Sequence, residues 1–257
     1  MKYDATTTKI FDIPPYIFFG ITGVIFASSV FILLLLKYQY SISRYTKIFL
    51  ASGAGMLIGA KVLGVFTGLY MALANNNPIN SYVFFNTGIV FYGGMLGFLS
   101  MFLAICRICD KSINYGVLDA VAVCIPLFHF WGRLGCFFAG CCYGIENHSS
   151  LSIVYTNLVM DKITTVSRFP VQLFEAGVNM VIFFVLLIMI TAKKLKGRLI
   201  FLYLFIYSAA RIILEFFRGD LLRGVWNGIS FSQAVSVFVL LGCILQFVLQ
   251  RMNEKLI

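Results

Sequence analysis

Long apolar runs separated by short polar segments dominate the chain. The first covers residues 17–36, just after Pro14 and Pro15, where the start of a helix tolerates proline. About 20 apolar residues, each rising about 1.5 Å, are enough to cross the hydrocarbon core of a bilayer. After the segment YQYSISRYTK comes a glycine-rich run over 48–74, where Gly55, Gly59, Gly64 and Gly68 have the small-residue spacing that lets helices approach closely, and where Lys61 sits inside. The uncharged segment NNNPINS leads to a third run over 84–106, which contains FYGGMLG. A fourth run covers roughly 117–138 and carries Asp119, His129 and Arg133. The polar stretch 144–168 reads as an external excursion, a loop or a few short strands around SLSIVYT. A fifth run begins near Pro170 and ends at 192, a sixth covers 199–217 with Tyr207, Arg211 and Glu215, and a seventh covers 229–249. This pattern predicts an all-α polytopic membrane protein of about seven transmembrane helices, with residues 1–257 forming one integral-membrane domain.

Charge then orients the helices. Arg44 and Lys47, Arg107 and Lys111, the cluster KKLKGR at 193–198, and Arg251 with Lys255 all fall in alternate connections, which the positive-inside rule assigns to the cytoplasm. The expected topology is amino terminus out and carboxyl terminus in. The segment MKYDATTTKIFDIPP mixes both charge signs and lacks a small-residue cleavage site, so it does not read as a removable signal peptide. Composition agrees: 60% hydrophobic and 12% charged residues with a mean hydropathy of +0.93 exceed what a soluble domain can bury. The net charge of +10 sits mainly at the ends of apolar runs, which points to topology and lipid headgroups and away from nucleic acid. The seven cysteines lie in or beside apolar runs, unlike a disulfide framework.

Residues 129–144, HFWGRLGCFFAGCCYG, hold the most unusual chemistry. An arginine at bilayer depth is costly, so Arg133 is a functional candidate by default; its bland alternative is an ion pair with Glu175, with Asp119 the other acid in reach. His129, one turn earlier, shares its helix face and is either a packing residue or a base. Arg211 and Glu215 are four apart, with Arg218 following, and form either a structural ion pair or an anion site in which guanidinium forks meet phosphate oxygens. Cys136, Cys141 and Cys142, with His148, resemble a metal set only loosely. Adjacent cysteines on one helix would point in different directions, so small buried hydrophobes are the expectation, with no metal and no cofactor.

These stretches resemble the prolipoprotein diacylglyceryl transferases. HFWGRLGCFFAGCCYG is similar to the family's Gly-Arg-(Ile/Leu)-Gly signature and YGGMLG to its His-Gly-Gly-Leu-Ile-Gly helix. RFPVQLFEA is similar to His-Pro-Ser-Gln-Leu-Tyr-Glu, YSAARIILEFFRGD to Tyr-(three residues)-Arg-(three residues)-Glu-Phe-Phe-Arg, and NGISFSQAVS to the closing Leu-Ser-(two residues)-Gln stretch. The resemblance implies a multi-pass enzyme of the bacterial cytoplasmic membrane. Such an enzyme moves the diacylglyceryl group of phosphatidylglycerol onto the lipobox cysteine of a prolipoprotein signal peptide and releases glycerol phosphate. It implies that Arg133 and Arg211 hold the headgroup and leaving phosphate, that Tyr207 and Glu215 orient Arg211, and that Gln172 and Glu175 support the pocket. Gly144 would close the turn, and Gly93, Gly94, Gly132, Gly135, Cys136 and Arg218 would line the lipid site.

The sequence departs from the family pattern at Tyr92 (histidine in the family), Cys136 (asparagine), Cys141 (near a glutamate) and Phe19 (a tyrosine). His129 or Tyr92 then becomes the candidate for the missing histidine's work. The alternatives are a divergent member acting on another thiol or lipid, and a phosphate-lipid or anion transporter, although no repeated halves are visible.

Overall fold

The computed structural model describes residues 2–4, 10–74, 90–110, 114–159, 162–219, 225–226 and 229–256. Seven helices account for most of it: α1 (Pro15–Lys37), α2 (Ile42–Ala74), α3 (Phe91–Asp110), α4 (Tyr115–Phe138), α5 (Val171–Thr191), α6 (Leu199–Glu215) and α7 (Phe231–Leu256). Among the described residues, six of these are long and apolar enough to cross a membrane. The other, α6, has 17 residues and carries Arg211 and Glu215 near its end. Large apolar side chains such as Leu57, Phe66, Val181, Ile188 and Phe238 are exposed along the helices, as a lipid-facing surface requires. The protein is an all-α polytopic membrane protein with a small β excursion.

Helix positions follow the hydropathy pattern, with differences at the ends; α7 runs on to Leu256, past the expected end at 249. Helix α2 begins at Ile42 rather than near 48, so Arg44 and Lys47 ride on its first turns instead of in a loop. Polar residues at a helix end need only water or headgroups on one side, and a hydropathy boundary therefore falls inside the true helix. Helix α3 begins at Phe91, and the expected start near 84 and the NNNPINS loop lie outside the described residues.

The described residues divide into two compact units, one comprising 1–27, 121–223 and 232–257 and the other 28–120 and 224–231. In the second unit, α2 and α3 approach at glycines. A Cβ on Gly59 would collide with the carbonyl oxygen of Gly93, and one on Gly97 with that of Gly55. Tyr92, Gly93 and Gly94 begin α3 here and are all buried, and Gly93 has no room for any side chain against Gly59. Asp119 also belongs to this unit.

In the first unit, α5 and α6 bury matching stripes, with Gln172, Glu175 and Asn179 on one and Tyr203, Tyr207 and Arg211 on the other. The excursion between α4 and α5 is a hairpin, β2 (Ile153–Val159) and β3 (Lys162–Arg168), joined by a parallel strand β1 (Lys2–Asp4) that pairs with β2. Tyr155 on β2 packs with Ile153 and Phe137, and Phe138 and Leu173 cover them, so the hairpin is anchored on the end of α4 and the start of α5. Phe19 of α1 stacks on Phe138 with ring centroids 5.1 Å apart. Gly135 lets α1 come this close, since a Cβ there would sit 3.2 Å from that of Phe19.

Candidate functional site

Glu175 is the centre of the buried charge in the first unit. It lies one turn into α5, which starts directly after Pro170, and its side chain is 1% exposed. Arg133 of α4 places Nη2 2.9 Å from Glu175 Oε1, and Arg211 of α6 places Nη1 3.0 Å from Oε2. The Tyr207 hydroxyl donates to Oε1 at 3.0 Å. Arg211 also meets Glu215 Oε2 through Nη2 at 2.9 Å, with Ser232 Oγ 3.3 Å from the same nitrogen. Two helices therefore each deliver a guanidinium group to one oxygen of a carboxylate carried by a third.

Spacing along the helices makes this possible. Tyr207, Arg211 and Glu215 are four apart and share a face of α6. His129 and Arg133 share a face of α4 in the same way, and Arg133 Nε donates to His129 Nε2 at 3.2 Å. The His129 ring meets Tyr207 edge-on at 5.0 Å between centroids, with Nε2 3.7 Å from Glu175 Oε1. Pro126 interrupts the backbone ladder of α4 one turn before His129.

The turn after α4 closes over this cluster. Gly144 pairs with Arg218 in an isolated bridge, and its amide donates to the Phe169 carbonyl at 3.1 Å. The Ile145 amide donates to Phe217 at 2.9 Å and Gly219 to Tyr143 at 3.0 Å. A Cβ on Gly144 would collide with the Phe169 carbonyl and lie 2.8 Å from that of Phe217, so only glycine fits between the two segments. The bridge holds Arg218, 7% exposed, against the turn that follows α4. Gln172 ties the turn to α5 by donating to the Cys141 carbonyl at 2.8 Å. Arg168 caps the outer side, 3.3 Å from the Gly144 carbonyl and stacked over the Tyr143 ring at 4.1 Å.

The sequence candidates thus separate into groups. Arg133, Arg211, Glu175, Tyr207, Glu215 and His129 meet directly, while Gln172, Gly144 and Arg218 hold the turn above them. Gly135 packs α4 on α1, whereas a Cβ at Gly132 would meet nothing within 4 Å. Tyr92, Gly93 and Gly94 belong to the other unit. The bland reading of Arg133, a pair with Glu175, is realised, and the same carboxylate also holds Arg211.

Two contributors escape the sequence reading. Asn179, fully buried one turn beyond Glu175, donates to the Glu175 backbone carbonyl at 2.8 Å. The polar stripe Gln172, Glu175, Asn179 in an otherwise apolar helix is a signal that could have revealed it. Ser232, the partner of Arg211, lies at the start of α7 inside the stretch NGISFSQAVS, where no periodicity marks it.

The cysteines depart from expectation. Helix α4 ends at Phe138, Gly140 adopts φ 67° and Cys142 φ 56°, so Cys141 and Cys142 are not successive helical positions and their thiols do not point apart. The Sγ atoms of Cys136, Cys141 and Cys142 all lie within 4.8 Å of one another. The Cys141 thiol donates to the Cys136 carbonyl at 3.7 Å. His148 is exposed and is not in this group.

A separate open groove of about 580 Å³ runs along Leu173, Phe174, Gly177, Val178, Val181, Ile182 and Ile206. It carries no charged group and lies on the apolar side of α5, suited to hydrocarbon and not to the charge chemistry.

Comparison with known proteins adds the following. The family model described as prolipoprotein diacylglyceryl transferase matches residues 5–249. A Clostridium perfringens protein named phosphatidylglycerol–prolipoprotein diacylglyceryl transferase 2 is 30% identical over 201 residues, covering 77% of this chain and 76% of its own. A Clostridium tetani protein named phosphatidylglycerol–prolipoprotein diacylglyceryl transferase is 30% identical over 205 residues, covering 78% of each chain. One of the same name from Helicobacter hepaticus is 34% identical over 170 residues, 64% of this chain and 56% of its own.

Proposed function

The chain belongs to the prolipoprotein diacylglyceryl transferase family, and on that premise we propose that it moves the diacylglyceryl group of phosphatidylglycerol onto the lipobox cysteine of a prolipoprotein, releasing glycerol phosphate. The enzyme works in the bacterial cytoplasmic membrane with its amino end outside and its carboxyl end inside. Residues 1–257 act as one transferase domain and 144–168 as an outer excursion. Its partners are phosphatidylglycerol, the signal peptide of the acceptor and the surrounding lipid.

The observation that carries this reading is the pair of guanidinium groups that Glu175 gathers from two helices. Arg133 of α4 and Arg211 of α6 are buried within 3.0 Å of its two oxygens. Guanidinium groups fixed in this way present N–H donors in the geometry that phosphate oxygens accept. A lipid phosphate fits that set of donors.

In the transfer, the acceptor sulfur forms a bond to the terminal glyceryl carbon as the carbon–oxygen bond to phosphate breaks, and the electron pair stays on the phosphate oxygen. Fixed guanidinium groups stabilise the charge that develops there without having to reorganise. Arg133, whose side chain is 10% exposed against 4% for Arg211, is the one better placed to touch the headgroup. Arg211, locked by Glu175, Glu215 and Ser232, fixes the position of the shared carboxylate and adds to the field. Gly132 leaves room for the lipid to pass close to α4. The apolar groove along α5 offers a path for an acyl chain.

The test is a transfer assay with the full chain in phosphatidylglycerol vesicles and a cysteine-bearing signal peptide. Thioether-linked diacylglycerol on the peptide, with stoichiometric glycerol phosphate, is the expected product. Arg133→Ala and Arg211→Ala should each lower the rate by about 10²-fold or more. Lipid movement between leaflets with no modified thiol would replace this reading by a transporter.

A further inference from the structure

The transfer chemistry above assigns no role to the three thiols gathered at the end of α4. Cys136 is in the last turn of the helix, and Cys141 and Cys142 follow in a tightly wound turn. The amides of Ala139, Gly140 and Cys141 return to the carbonyls of Gly135, Phe137 and Cys136 at 2.9, 3.1 and 3.1 Å. Gln172 holds the Cys141 carbonyl from α5. Cys142 adopts a left-handed conformation, φ 56°, which a non-glycine residue takes only where the surroundings impose it. The result is three sulfurs within 4.8 Å of one another. Two thiolates on one tetrahedral Zn²⁺ stand about 3.8 Å apart when each metal–sulfur bond is about 2.3 Å, so the group needs only a small contraction to chelate.

Charge and access point the same way. Three thiolates on a divalent ion leave a net single negative charge, and Arg133 stands one turn before Cys136 on the same helix. Cys141 is exposed and the other two are partly so, and among the described residues no fourth His, Cys, Asp or Glu donor joins the group. Three protein ligands with one open position are the arrangement of catalytic zinc sites, whereas structural sites are closed by four. A thiol that enters such a position is deprotonated by the metal.

We propose that Cys136, Cys141 and Cys142 bind one thiophilic divalent metal ion of the Zn²⁺ class, and that its fourth position takes the cysteine of the acceptor as a thiolate. The second half rests on the transferase reading. On coordination the acceptor's S–H proton passes to solvent. The sulfur lone pair then forms the carbon–sulfur bond as the carbon–oxygen bond breaks, and the metal is neither oxidised nor reduced. Placing the thiolate on the turn that Gln172 and Gly144 hold over Arg133 would bring nucleophile and leaving phosphate into one site.

The probe is Co²⁺ added to the full chain, purified in detergent with its thiols reduced. One equivalent should bind and produce a near-ultraviolet thiolate-to-cobalt band, weakened in C136S, C141S and C142S and retained in C124S and C243S. Because a serine variant can fail to fold, zinc is also counted in wild-type protein, where one ion per chain is expected. Absence of the band together with absence of zinc overturns the site, as does a disulfide among the three thiols that, once reduced, still binds no Co²⁺. A cysteine-bearing signal peptide should shift the band and its serine counterpart should not; no shift overturns the role of the fourth position. The vesicle transfer assay tests the transferase reading separately, so loss of one result is distinguishable from loss of the other.

Discussion

Arg133 and Arg211 reach the same carboxylate from different helices, Arg133 at 2.9 Å from one oxygen of Glu175 and Arg211 at 3.0 Å from the other. A buried ion pair is weak evidence of stabilisation, because desolvating the charges costs about as much as their attraction returns. What the shared carboxylate does supply is geometry. It fixes the separation and orientation of two guanidinium groups that would otherwise repel each other.

Removing that spacer should be more damaging than removing either arginine. Glu175→Gln keeps the shape but removes the carboxylate that pairs with Arg133, leaving Glu215 on Arg211 as the counter-charge beside the two guanidinium groups. Breaking one partner of a buried pair costs about 3–5 kcal/mol, so thermal unfolding in detergent should move clearly downwards and transfer should fall below detection. A variant with wild-type stability and activity would show that the carboxylate is dispensable.

The arginines should also behave as a coupled pair. If both act on one phosphate through one carboxylate, the double variant Arg133→Lys/Arg211→Lys should lose much less than the product of the two single losses. Lysine keeps the charge but cannot make the two-nitrogen contacts of a guanidinium, and Arg211 uses separate nitrogens for Glu175 and Glu215. Single losses of about 10²-fold in kcat/KM are expected. Strict multiplicativity in steady-state assays would mean two independent sites.

His129 separates two roles. Its Nε2 accepts from Arg133 Nε, an arrangement that aims the guanidinium. His129→Gln, which retains an acceptor in a similar place, should keep most of the activity and the shape of the pH–rate profile, whereas His129→Ala should lower kcat about 10-fold through a misplaced arginine, the scale of one hydrogen bond to a charged group. If His129 is instead the base for the thiol, both variants lose activity alike and the limb of the pH profile that it controls disappears.

Much of this site was legible in the sequence because helices convert spacing into geometry. Tyr207, Arg211 and Glu215 at intervals of four, and His129 with Arg133, fall on common faces whatever the surrounding fold. Pro170 marked the start of α5 and so the depth of Glu175. What the spacing did not carry was non-helical. The three-thiol cluster depends on a helix that stops at Phe138 and on positive φ at Gly140 and Cys142, and neither is set by periodicity. Ser232 reaches Arg211 from a helix start far along the chain, a tertiary contact that a single sequence does not encode locally. The parallel pairing of Lys2–Asp4 with β2 is of the same kind, since hydropathy contains nothing about strand partners between distant segments.

Two glycines of the same motif region should respond in opposite ways to alanine. At Gly144 the added Cβ collides with the Phe169 carbonyl and crowds that of Phe217, both backbone atoms that cannot swing aside, so Gly144→Ala should destabilise the turn, release Arg218 from its bridge and lower expression as well as activity. At Gly132, inside α4, the added Cβ meets nothing within 4 Å, and replacing a helical glycine by alanine favours the helix by roughly 0.5–1 kcal/mol. Gly132→Ala should therefore melt at the same temperature as wild type or slightly higher. If the open space beside Gly132, one residue from Arg133, is where the lipid backbone passes, the same variant should raise KM for phosphatidylglycerol several-fold with its fold intact. An unchanged KM in the vesicle assay would show that the lipid approaches Arg133 from another side.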